Sequence, residues 1–277
     1  MRYSLSCVLF WILLSPTMTA LGGEAPLVRT VIILPHLLSH DINHEDYYFS
    51  ALLRLAMDKT ISTHGPWAYS EYAEWQRDKR LRQSLARGVV HVIWSQTSAA
   101  FETEMLAVKY PLLKGLSRYR LLLIHEKNQQ VFSAVKSLAD LKRYRGGMGA
   151  QWPDVALMEA NGLPLVTASG YGKLFKMLAA GRFDYFSRGI YQIQSEVSFY
   201  PDLPLAIEKT LILESSGASY FFVAKNNKDL AERLQKGLEL VEQDGSLDSL
   251  FNSVPRYRWA METLQKGGRR VISLATE

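Results

Sequence analysis

The run Leu174 to Tyr191 (LFKMLAAGRFDYFSRGIY) constrains the fold of this chain more than any other stretch. Leu174, Phe175, Leu178 and Ala179 recur at helical spacing after Tyr171. Gly181 then supplies a left-handed stop, and Phe183 and Tyr185 alternate with Asp184 as a strand does. The run predicts helix, tight turn and strand, the grammar of an α/β sheet. Ser187, Arg188 and Gly189 stand at the strand's carboxyl end, where ligands of open α/β sheets gather. Arg188 is therefore the leading site candidate, because a guanidinium offers a fixed fork of donors that fits carboxylate or phosphate and stays charged. The alternative is an arginine paired at the surface with Asp184 or a neighbouring glutamate.

The rest of the chain carries the same alternation of elements. Val28 to Pro35 is a β-branched run of strand length, and Phe49, Leu52, Leu53 and Ala56 mark a helix capped from Ser39, Asp41 or Asn43. Trp67 to Tyr72 reads as a short strand. Glu74 to Ala86 reads as a helix with Trp75, Leu81 and Leu85 inward and Arg77, Arg80, Arg82 and Arg87 outward, ended by Gly88. Val89 to Trp94 is then a buried strand leading into Ser95, Gln96 and Thr97, and Ala99 to Ala107 suits a short helix. The pattern breaks from Tyr110 to Gly115 before Tyr119 to Ile124 resumes as a strand. A helical turn at Ser137 to Tyr144, the glycine-rich Gly146 to Gly149, a helix with Pro153 in its first turn and a strand at Leu163 to Thr167 follow. Beyond the opening run, Leu205 to Leu213 is extended, Tyr220 to Ala224 carries the chain back, and Lys228 to Asp244 begins the terminal helices.

The helix followed by AAGRFDYF resembles the second-lobe "L..G..D" segment of type II periplasmic solute-binding proteins, in the family that binds amino acids and similar polar solutes (extracellular solute-binding protein family 3). Leu85 to Trp94, Ser137 to Gly149, Ala218 to Leu230 and Leu238 to Phe251 agree with it in the same order. The resemblance implies an α/β, two-lobed, periplasmic-binding-protein-like type II fold, each lobe a mostly parallel sheet flanked by helices. Its expected parts are a signal peptide over residues 1–22, lobe 1 over 23–116 plus 223–277, and an inserted lobe 2 over 117–222. Two features depart from the family. An acidic residue that holds a ligand amino group in the relatives is missing near Arg188. The "T-x-x-R" arginine that clasps a ligand carboxylate is also missing, since Thr97 is followed by Ser98, Ala99, Ala100 and Phe101.

The first segment has signal-peptide grammar: Arg2, an apolar run from Val8 to Leu14, then Ala20, Gly22 and Gly23. The run is shorter than the ~20 residues a membrane span needs, and an uncleaved anchor is the alternative. The one cysteine, Cys7, precedes the apolar core, so cleavage would leave no thiol for disulfides, Cys-ligated metals or thiol catalysis. With 277 residues, 48% of them apolar, the chain can fill two cores. Its formal net charge of +5 favours an anionic solute or a membrane surface, although solvated helix faces explain it as well. An exported chain has no call to bind nucleic acid.

Gly149, Gln151 and Trp152 are further ligand-binding candidates, because the start of the Pro153 helix would offer N–H groups and a positive dipole end to an anion, with Trp152 as an aromatic wall. Ordinary interlobe packing is the alternative for Trp152. Ser95, Thr97 and Ser187 complete the candidate site. His91 reads as a structural histidine. His36, His40 and His44 fall four apart, but Pro35 and the cap residues make that segment a loop, so no metal site is assigned. No GxSxG, HExxH or paired-carboxylate pattern points to an enzyme, and no cofactor is expected. The expectation is a periplasmic, monomeric, non-enzymatic protein that binds a small polar, anionic solute for ABC-type import. Its partner would be an inner-membrane permease or, if it senses rather than transports, a membrane-bound sensor.

Overall fold

The computed structural model describes residues 30–34, 41–42, 44, 46–74 and 78–275. The expected signal segment, two of the three spaced histidines (His36 and His40), the caps Ser39 and Asn43, and Trp75 and Arg77 lie outside the described residues.

In chain order, β1 (Thr30–Leu34) precedes α1 (Tyr47–Lys59), α2 (Ile61–His64), β2 (Trp67–Glu71), α3 (Asp78–Ala86), β3 (Ile93–Gln96), α4 (Ala99–Glu104) and β4 (Leu106–Val108). The second lobe opens with β5 (Tyr119–His125), α5 (Gln129–Ser133), α6 (Leu138–Leu141), β6 (Gly146–Gly149) and α7 (Asp154–Ala160). It continues through β7 (Leu165–Ala168), α8 (Tyr171–Ala179), β8 (Tyr185–Gly189), α9 (Ile190–Ser198), β9 (Leu205–Ile207) and β10 (Leu211–Glu214). The last elements are β11 (Ser219–Val223), α10 (Lys228–Gln243), α11 (Ser246–Ser253), α12 (Pro255–Lys266) and β12 (Arg270–Ser273).

The predicted helix, turn and strand are α8, Gly181 and β8. Gly181 sits at φ +67°, and the following Arg182 N–H donates to Met177 O at 3.0 Å, closing the last turn of α8. All five residues of β8 are buried rather than every second one, because β8 lies inside a seven-stranded sheet ordered β12-β10-β5-β8-β6-β7, with β9 also on β5. The sheet is mixed where a mostly parallel one was expected. β6 runs parallel to β7 and β8, and β10 to β12, while β5 is antiparallel to β8, β9 and β10. The first lobe holds the parallel pair β1-β2 and the antiparallel sheet β3-β11-β4.

β5 divides the interior. Leu121 and Leu123 face a core that reaches to α1, α8, α10 and α12, while Leu122 and Ile124 face a second core with Phe132, Met158 and Ile272. This is the period-2 alternation of a strand buried on both faces.

Several expected boundaries move. β11, from Ser219, pairs with β3 and β4. α10 and α11 pack on α1. β12, expected in lobe 1, instead pairs with β10, whose outer edge it covers. The helix expected to run to Ala107 stops at Glu104, since Leu106–Val108 pairs with β11. The glycine-rich Gly146 to Gly149 form a buried strand, where the missing side chains leave room for rings: a Cβ on Gly147 would stand 2.2 Å from Phe183. Pro153 sits one residue before α7 rather than within its first turn, and α1 is preceded by Asp46, whose side chain does not cap it. His91 has the structural role expected of it: Ile33 N–H donates to its Nδ1 at 3.1 Å, and its own N–H donates to Ile33 O at 2.7 Å, fastening β1 to the segment before β3.

Candidate functional site

A cleft of about 250 Å³ opens between the lobes. Its second-lobe wall is built from the carboxyl end of β8, the amino ends of β5, α8 and α9, and the turn that leads into α7. Its first-lobe wall comes from α1, α3, β3 and α4.

On the second-lobe wall β8 brings Arg188 to the cleft, where it is 4% exposed. Its Nε donates to Glu196 Oε2 at 2.7 Å and its Nη2 to Glu196 Oε1, while Tyr171 OH donates to the same Oε1 at 2.7 Å. Trp152, Phe186 and Tyr171 surround the guanidinium, with ring centroids 4.6, 5.0 and 5.6 Å from its carbon. Arg188 is thus paired, but in the interior and with Glu196; Asp184 instead accepts the Arg145 N–H at 2.7 Å.

A second buried pair lies alongside. Arg120 Nη1 donates to Asp154 Oδ1 at 2.7 Å and to Gln96 Oε1 at 3.1 Å, and Arg120 Nε donates to Ser187 Oγ at 3.1 Å. Ser187 is fully buried behind the cleft, bonded to Arg120, and does not line it.

Trp152 and Gln151 line the cleft, but Gly149 lies beneath the indole: a Cβ there would be 2.4 Å from the ring. Two of the expected N–H groups are already committed. Ala150 N–H donates to Ala168 O and Trp152 N–H to Gly149 O, and α7 starts only at Asp154. What the turn contributes is an aromatic face. Trp152 stacks on Phe186 with centroids 5.9 Å apart.

The first-lobe wall repeats the aromatic motif with Trp94 stacked on Phe49 at 5.9 Å, its Nε1 donating to Asp46 Oδ1 at 2.7 Å. Ser95 lines the cleft. Thr97 does not, since its N–H donates to Ala218 O and its Oγ1 to Glu102 Oε1, both at 2.8 Å. Bonds from Lys109, then Thr97, hold the Glu102 carboxyl below the usual glutamate range. Arg82 was expected outward. Its side chain is only 15% exposed and lines the cleft, with Nε donating to Glu104 Oε2 at 3.1 Å and the guanidinium 4.7 Å from the Phe101 ring. At the start of α9, burial pushes the Tyr191 phenol up to about 12, so it enters the site as a neutral hydroxyl.

Of the expected site residues, then, Arg188, Ser95, Gln151 and Trp152 meet at the cleft, while Ser187, Thr97 and Gly149 stand behind it. Arg82, Arg120, Asp154 and Glu196 were missed. Arg120 carried a signal, as the one charged residue inside the apolar run YRLLLI. Among the described residues, no group of three or more His, Cys, Asp or Glu is placed to hold a metal ion.

No protein-family model matches the chain, and no curated protein matches it. Solved structures do. An ancestral arginine-binding protein bound to arginine shares 17% identity, with 82% of this chain and 99% of that one covered and a TM-score of 0.60. A histidine kinase sensor domain with similarity to periplasmic binding proteins matches at 14% identity, 82% and 96% coverage and a TM-score of 0.59. A structure from glutathione import in Gram-positive bacteria via GshT and the cystine ABC importer TcyBC of Streptococcus mutans matches at 13% identity, 82% and 95% coverage and a TM-score of 0.62. The chain has the two-lobed, type II periplasmic-binding-protein-like fold, the fold of amino-acid ABC transporter substrate-binding proteins. Among the described residues, no helix is long and apolar enough to cross a membrane.

Proposed function

We propose that the chain is an exported, periplasmic binding protein that captures a small polar solute bearing an acidic group between its lobes, without turning it over, and delivers it to an inner-membrane ABC permease. The observation that carries this reading is the make-up of the cleft. Arg82, Arg120 and Arg188 line it against the two carboxylates of Asp46 and Asp154, and Trp94 and Trp152 supply aromatic faces from the two lobes. A concave, mostly apolar site with a few fixed polar groups is the usual form of a small-molecule site. Charge of both signs suits a solute that is itself dipolar, and guanidinium groups on both walls suit an acidic group on it. Ser95 and Gln151 offer polar contacts, and Arg188, held by Glu196, forms the charged floor.

A sensor role is the second reading, favoured by the likeness to a histidine kinase sensor domain. In that case the lobes report the solute to a membrane receptor and no solute moves.

The test is a thermal-shift screen against amino acids, organic acids, sugars, polyamines and divalent metals. A compound present at about 100 times its Kd should stabilise the folded state by roughly 2.7 kcal/mol. If no compound raises the midpoint, the binding reading fails. Reconstitution with candidate permeases then separates transport from sensing.

A further inference from the structure

We infer that Arg82 is the specificity-determining residue of the cleft, the guanidinium that takes the solute's acidic group. This inference rests on the reading of the cleft as a solute site.

The three guanidiniums that line the cleft differ in how much of each is already committed. Arg188 is locked to both oxygens of Glu196 and enclosed by three rings. Arg120 is 3% exposed and bonded to Asp154, Gln96 and Ser187. Neither can turn its whole fork to a solute without leaving a carboxylate stranded in the interior, which is strongly unfavourable. Arg82 has a different setting. Its one hydrogen bond among the described residues is from Nε to Glu104, whose side chain is 55% exposed, so that pair is hydrated and weak. Both Nη groups of Arg82 are left for a partner, at the wall of a cleft.

The side chain is also held in place. The Phe101 ring lies 4.7 Å from the guanidinium carbon, which orients the planar fork without consuming its donors. A guanidinium that is fixed, mostly desolvated and still has its terminal donors is suited to a two-point contact with a carboxylate.

The experiment is calorimetric titration of wild type, Arg82→Gln and Glu104→Gln. The probes are the common L-amino acids and the dicarboxylates from succinate to adipate, each beside the matching amide. Arg82→Gln should weaken the acid probe by about 30-fold and leave the amide within about threefold, since only the acid needs the fork. Glu104→Gln should leave acid binding unchanged or tighten it, because it removes the competing carboxylate. Equal weakening of acid and amide by Arg82→Gln, no weakening of the acid, or weakening by Glu104→Gln as large as that by Arg82→Gln would each overturn the assignment while leaving the cleft reading intact. Absence of binding of every probe to wild type overturns both.

Discussion

The two walls of the cleft use the same ingredients in opposite ways. Each has a tryptophan stacked on a phenylalanine and an arginine paired with a glutamate. On the second-lobe wall the Arg188–Glu196 side chains are 5% and 4% exposed, whereas on the first-lobe wall Arg82–Glu104 are 15% and 55% exposed. Burial decides what each pair can do. A dry pair cannot exchange partners without stranding a charge, so it belongs to the fold. A wet pair exchanges partners at little cost, so it is available to a ligand.

The largest effect that tests this contrast is on stability. Arg188→Ala should lower the free energy of unfolding by about 3–5 kcal/mol, because Glu196 stays behind in the interior without its counter-ion. Urea denaturation followed by circular dichroism measures it. A loss below about 1 kcal/mol would place Arg188 with the wet pairs.

Next comes Gly149→Ala, where the added methyl meets the rigid Trp152 ring. Overpacking of this kind costs about 1–3 kcal/mol, and the displaced indole should change the intrinsic fluorescence. An unshifted emission maximum with unchanged stability would show that the indole can yield.

Arg82→Gln should cost no more than about 1 kcal/mol of stability, because the pair it breaks is with an exposed carboxylate, while it alters binding. A drop of several kcal/mol in a thermal melt would erase the difference between the walls.

The smallest effect belongs to Glu102, also on the first-lobe side. Its carboxyl is held below the ordinary value of 4.5, so the stabilisation is present above that pH and fades as the pH falls through the lower folded-state value. With the side chain 32% exposed, Glu102→Gln should cost under about 0.5 kcal/mol at pH 7, and the difference from wild type should vanish in acid. Stability curves from pH 2 to 7 for both proteins check the sign.

Local pattern carried much of the architecture. Gly181 and the spacing of Leu174, Phe175 and Leu178 announce a helix and its stop, because turn chemistry and periodicity are properties of a few neighbouring residues. The same logic brought Arg188 to the cleft. It could not supply Glu196, which meets Arg188 only because α9 folds back after Gly189. Nor could it distinguish Arg82 from Arg80 on the polar face of α3, since that depends on where Phe101 and Glu104 of α4 come to rest. The glycines of β6 belong to the same class: what they make room for is the rings of Phe183 and Tyr185, distant in sequence. Partners that come from distant segments, not the elements themselves, were the illegible part.

The bond from Arg120 to Gln96 joins the two lobes, since Arg120 is the second residue of β5 and Gln96 ends β3. Separating the lobes has to break it. A hydrogen bond to a charged group contributes about 1.5–3 kcal/mol, which makes the open form roughly ten- to a hundredfold scarcer than it would be without the bond. On the proposed reading of the cleft, the lifetime of a trapped solute depends in part on this contact between the lobes. On that reading, Gln96→Ala should shorten residence and speed release more than it slows capture.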